Sequence, residues 1–178
     1  MTGTFEFSAS VAGARKGLAG LVGALVLAGA LMTGSGQAAR AETVAFMPIK
    51  FLDTSAEPKD QTADHDRRLR AMTESLHSYL ASRPSTEVVA ISRDELDATC
   101  ANPTTDCILK MASDQKADYV FLASIQKTST LITQMWVDIV DLEAKTIAFK
   151  RELNFRGDND EAWRRASVFL EQQLAQWE

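Results

Sequence analysis

The chain has 178 residues, a length that suits one domain. Lysine and arginine total 19 against 24 aspartates and glutamates, and the formal charge of -5 leaves no basic footprint for nucleic acid. Two cysteines are too few for a four-cysteine zinc site, and 46% hydrophobic residues argue against disorder as the main state.

Composition changes abruptly near residue 40. After Gly36 the only glycine is Gly157. Arg15-Lys16 precedes an apolar run from Gly17 to Met32, and Ala39-Arg40-Ala41 fits the small-residue cleavage rule. Residues 1–41 are therefore expected to be a cleaved signal peptide, with residues 42–178 forming a single exported, periplasmic domain. A membrane anchor is the alternative, but the run is short for a span and rich in glycine. No further span is expected after cleavage. No cysteine lies near the cleavage site, which excludes lipid attachment there. Export places Cys100 and Cys107 in an oxidising compartment, so a structural disulfide between them is expected. A redox pair would more usually read C-x-x-C.

Val44 to Phe51 reads as a strand, and Pro48 inside it demands an edge position or a bulge. Asp53 to Gln61 is a polar loop. Leu69, Met72, Leu76 and Leu80 recur at helical spacing from Asp64 to Ser82, and Arg83-Pro84 ends that helix. Glu87 to Ile91 is a short strand. Ser92 to Glu95 has capping-box spacing and opens a helical turn. Asp106 to Gln115 is helical, and Tyr119 to Ile125 has the two-sided apolar character of a central strand. Leu131 to Asp141 and Thr146 to Arg156 are strands, the second alternating Ile147, Phe149, Leu153 and Phe155 with polar residues. The turn between them must reverse with no glycine, which points to Lys145 at positive φ. A last helix, Asp158 to Trp177, carries a stripe of Trp163, Ala166, Leu170, Leu174 and Trp177. The fold class is α/β with α+β character, in the order β-α-β-α-β-β-β-α. Its first three strands are expected to be parallel and its last three an antiparallel meander.

Three segments carry a resemblance: His65-Asp66-Arg67-Arg68-Leu69, Gln126-Lys127-Thr128-Ser129-Thr130-Leu131-Ile132, and Arg156-Gly157-Asp158-Asn159-Asp160 with Trp163-Arg164-Arg165. The chain is similar to an uncharacterised family of exported bacterial domains of unknown function. More distantly, its element order resembles the amino-terminal domain of TolB, which implies protein contacts in the cell envelope.

No H-E-x-x-H, P-loop, G-x-S-x-G or G-x-G-x-x-G is present, so no cofactor and no metal are expected. His65 reads as a packed or capping residue rather than a base, and His77 as a surface residue. Asp158 to Glu161 invites a calcium reading, but it lacks the twelve-residue loop and runs straight into a helix. Asp158 with Glu161 has capping-box spacing, and Asp160–Arg164 and Glu161–Arg165 are acid-first helical pairs. Trp163 reads as core. Strand direction brings the three segments to one end of the sheet. The candidate binding end therefore comprises Asp53, His65, Arg67, Lys127, Ser129, Arg156, Asp158, Asp160 and Arg164. The competing expectation is that Lys127, Arg67 and Arg156 pair with Asp53, Asp158 and Asp160 to brace the fold. With no nucleophile–base pair in view, the expected role is a non-enzymatic domain that binds an envelope or periplasmic protein. The alternative is a small-ligand or metal-binding module that uses the polar end.

Overall fold

A computed structural model describes residues 40–177. The leader expected over residues 1–41 lies outside them, apart from Arg40 and Ala41, which precede the first strand. The elements run β1 (Glu42–Phe46), β2 (Lys50–Asp53), α1 (Thr62–Ala81), β3 (Thr86–Ala90), α2 (Arg93–Thr99), α3 (Thr105–Asp114), β4 (Tyr119–Lys127), β5 (Thr133–Asp141), β6 (Thr146–Phe155) and α4 (Asp160–Leu174). Among the described residues no helix is long and apolar enough to cross a membrane.

The six strands form one mixed sheet in the order β3-β1-β4-β5-β6, with β2 continuing beside β4. β1 lies parallel to both β3 and β4, and β4, β5 and β6 form the antiparallel meander. β1 is thus interior, whereas β2, beyond Pro48, pairs with β4 alone, so the proline stands at a bulge between an interior stretch and a one-sided one. Phe46 pairs with Phe121 and Lys50 with Ser124, so four steps on one strand match three on the other. The extra residue falls in Met47–Ile49, where Pro48 needs no ladder donor. Met47 still donates its N–H to the Phe121 carbonyl at 3.1 Å.

Alternation along the strands divides the apolar residues between two faces. Val44, Phe46, Phe121, Ile125, Met135 and Val137 meet Met72, Leu76 and Leu80 of α1 and Trp163, Leu170 and Leu174 of α4. The other face carries Ala45, Met47 and Val120 against Leu96 of α2 and Met111 and Ala112 of α3. Stacked rings of Phe46 and Phe121, 4.5 Å between centroids, tie β1 to β4 in the larger core. The expected disulfide joins Cys100, at the end of α2, to Cys107 in the first turn of α3. Closing so short a loop is worth about 2.5 kcal/mol in the chain-entropy account.

Helix ends follow local chemistry. Ser92 and Glu95 form the expected capping box of α2. Asn159, not Asp158, caps α4, accepting from the Ala162 N–H at 2.9 Å. Glu161 turns to Arg164 and Arg165 instead of closing a box. The last carbonyls of α4 and its extension, Leu174 and Trp177, accept from the Arg83 guanidinium, which also lies 4.8 Å over the Trp177 ring.

At the last hairpin Asp141 Oδ1 accepts from the Glu143 and Ala144 N–H groups, and Lys145 takes φ +56° as its position requires. Relief of a left-handed lysine is worth about 1–2 kcal/mol. The added freedom of glycine in the unfolded chain returns about 0.4–1 kcal/mol of that. Lys145→Gly is therefore expected to stabilise the protein by about 0.5–1 kcal/mol in denaturant melts. A destabilised variant would mean that the lysine makes contacts outweighing its strain.

Candidate functional site: a buried carboxylate at the end of the sheet

β2 and β4 end side by side, with Asp53 level with Lys127. β6 returns to the same end, where Gly157 at φ +89° turns the chain inward. A Cβ there would sit 3.0 Å from Asn159 Nδ2, so glycine suits the turn on both counts. The next residue, Asp158, donates its N–H to the Thr130 carbonyl of the β4–β5 hairpin at 3.2 Å. α1 begins at this end too, and residues 65 and 68 share one face by helical spacing.

The Asp158 side chain is only 3% exposed. Its Oδ2 accepts from His65 Nε2 at 2.8 Å and Lys127 Nζ at 3.0 Å. Its Oδ1 accepts from Arg68 Nη1 at 2.8 Å and Trp163 Nε1 at 3.2 Å. A carboxylate has about four lone-pair sites, and all are used. Lys127, with a side chain 0% exposed, follows Ile125 on the α1/α4 face, where the alternation would place an apolar residue. Its ammonium also reaches Glu57 Oε2 at 3.1 Å and Asp53 Oδ2 at 3.5 Å. The imidazole Nε2–H is directed at Asp158, and Nδ1 faces Asp53 Oδ2 at 3.8 Å. Phe51 packs on His65 at 4.7 Å and on Trp163 at 5.6 Å, so the ion cluster has an aromatic wall.

Burial by itself would raise the Asp158 carboxyl, but hydrogen bonds from His65 and Lys127 outweigh it and hold the group below its ordinary value. Burial would likewise lower Lys127. The bonds to Asp158 and Glu57 win, and the ammonium is held above its ordinary value. Nearer solvent, Asp160 accepts from Arg68 Nε at 2.8 Å and from Arg67 Nη2 at 3.0 Å, clasping α1 to the start of α4. Arg67 also holds Asp64 at 2.7 Å. Exposed pairs of this kind contribute about 0–1 kcal/mol, far less than a buried pair loses when one partner is removed.

Asp53, His65, Lys127 and Asp158 thus converge, with Arg67 and Asp160 at the rim. Three other predicted residues sit apart. The Ser129 hydroxyl accepts from the Leu131 and Ile132 N–H groups at 3.2 Å and shapes the hairpin tip. Arg156 is exposed and forms no ion pair among the described residues. Arg164 lies on the outer face of α4 and bonds Glu161 at 2.8 Å rather than Asp160. Sequence reasoning missed Glu57, Arg68 and the Trp163 N–H. Arg68 was within reach, three residues after His65. Glu57 sits in an irregular loop with no spacing signal.

Residues 42–174 match the model of a family described as a protein of unknown function (DUF2380). The chain belongs to that family. No curated protein matches it. Several solved structures are similar to the chain at low identity. A neuraminyllactose-binding hemagglutinin homolog from Helicobacter pylori is 10% identical, with TM-score 0.51, over 76% of this chain and 84% of that one. The PelC dodecamer from Paraburkholderia phytofirmans is 12% identical, with TM-score 0.49, over 76% and 86%. TolB from Acinetobacter baumannii is 14% identical, with TM-score 0.48, over 77% of this chain and 28% of that one.

The cluster yields a prediction about this family member. Asp158→Ala strands buried cations and is expected to cost about 3–5 kcal/mol in denaturant melts. In the wild type, a carboxyl lowered by folding adds stability that is complete above its unfolded value near pH 4 and is lost as pH falls through the folded value. A raised lysine adds stability that is complete below about pH 10 and is lost as pH rises through its folded value. Wild-type stability should therefore show a plateau between those limits. The acid limb should flatten in Asp158→Ala. A loss under 1 kcal/mol with an unchanged acid limb would contradict the arrangement.

Proposed function

We propose that the chain is an exported, non-enzymatic module that contacts another protein of the cell envelope through the tip of the β4–β5 hairpin and the adjoining Arg156 segment. The observation that carries this reading is the saturation of Asp158. At the end of the sheet where chemistry is usually placed, the central carboxylate and ammonium are engaged with one another, and the lone pairs of Asp158 are already taken.

What the same end offers outward is apolar. Leu131 is 66% exposed and Ile132 49% exposed at the hairpin tip. The Asp158 N–H bond to Thr130 fastens that tip to the buried cluster, and Arg156 lies two residues away, its charge unpaired among the described residues. Large exposed apolar side chains on a stiff support beside a free arginine have the make-up of a protein contact.

The test is capture from periplasmic extract by the purified protein, comparing wild type with Leu131→Asp/Ile132→Asp and with Arg156→Ala. All three are expected to melt within about 0.5 kcal/mol of one another, as exposed positions should. A partner held by the wild type is expected to be lost from the double variant and weakened in Arg156→Ala. Equal capture of the same partner by all three would exclude this surface.

A further inference from the structure

The connections create a crevice away from the buried cluster. β1 and β2 lead into α1 on one face of the sheet, whereas β3, the parallel neighbour of β1, leads into α2 on the other. The chain therefore leaves the carboxyl ends of β1 and β3 in opposite directions. Open α/β sheets bind ligands at such a switch point.

A cavity of about 490 Å³ lies there, larger than the 290 Å³ groove between α1 and α4. It falls within the range of about 300–1,000 Å³ common for small-molecule sites. Phe46, Ile49, Leu69 and Ile91 give it an apolar lining. Polar and charged residues share its rim. Arg70 and Glu74 stand one turn apart on α1, and neither forms an ion pair among the described residues. Arg93, across the crevice, donates to the Ile49 carbonyl at 3.2 Å and has no carboxylate partner there. His77 meets the Phe46 ring edge to face, 5.8 Å between centroids.

We infer that this crevice binds an amphipathic carboxylate, its apolar body against Phe46, Ile49 and Leu69 and its anionic head between Arg70 and Arg93. Among the charged residues that line the crevice, two guanidiniums stand against the single carboxylate of Glu74, a local balance that suits an anion. The planar fork of arginine matches a carboxylate better than any neutral head. The apolar lining sets the other requirement, because a fully polar acid would leave it wet. This goes beyond the protein contact proposed above and uses none of its residues.

The test displaces 1-anilinonaphthalene-8-sulfonate, itself an apolar body with an anionic head, from the purified protein. Competitors are dodecanoate, dodecanol and dodecylammonium below their micellar concentrations. Dodecanoate is expected to compete at concentrations about tenfold lower than dodecylammonium, with dodecanol between them, the increment of one charge-assisted hydrogen bond. Thr73→Trp, which fills the crevice, is expected to abolish dye binding without lowering the melt. Arg70→Glu, at an exposed position, is expected to remove or invert the head-group preference and keeps the inference testable if Thr73→Trp fails to fold. Leu131→Asp/Ile132→Asp is expected to leave dodecanoate binding unchanged, so failure of one reading does not masquerade as failure of the other. Equal competition by all three heads, or binding untouched by Arg70→Glu, would overturn the inference.

Discussion

An aspartate carboxylate that leaves water must find donors for all its lone pairs, and Asp158 finds them on three other elements. His65 and Arg68 come from α1, Lys127 from β4 and Trp163 from α4. No pair of these elements is adjacent in sequence, so the cluster forms only once the β-α-β crossover, the meander and the last helix are all in place. The energetic logic is asymmetric. Assembling a buried ion cluster returns little net stability over an apolar core, while removing one member leaves the rest uncompensated. Such a cluster therefore specifies one arrangement of the helices on the sheet more than it deepens the well, and we assign it that role here.

The cluster also sets the rest of the molecule. α1 serves three environments along its length: His65 and Arg68 in the ion cluster, Met72, Leu76 and Leu80 in the core, and Arg70, Glu74 and His77 along the switch-point crevice. Pinning its first turns fixes where its outer side chains stand. The hairpin tip is fastened likewise, through the Asp158 N–H and the Thr130 carbonyl. Both surfaces for which we propose a role are thus held by a group that reaches neither of them.

Much of this was legible in the residues. The parallel-then-antiparallel topology follows from which strands are linked through helices, and it brought the right segments to one end. Lys145 at positive φ follows from a turn without glycine, and the disulfide from two cysteines in a chain whose first residues read as an export signal. Details that depend on side-chain competition were not legible. Pro48 called for an edge position or a bulge, and the residues alone could not choose between them because they do not show which strands flank that point. Asp158 had the spacing of a cap, but its burial and four donors outbid the helix end, and Asn159 took that place. Arg164 had equally good spacing to Asp160, yet Asp160 was already held by Arg67 and Arg68 from a helix far away in sequence. Glu57 could be found only in three dimensions.

The central claim is that Asp158 is committed to this protein's own side chains. A double-mutant cycle of Asp158→Asn and Lys127→Met, read by denaturant unfolding, tests it most directly. Each single change should destabilise the fold, since each leaves a buried partner uncompensated. The double variant should lose less than the sum of the two, with a coupling of about 0.5–3 kcal/mol, as for groups in one network. Additive losses within a few tenths of a kcal/mol would mean that the two groups do not depend on each other, and the account built on Asp158 would fail.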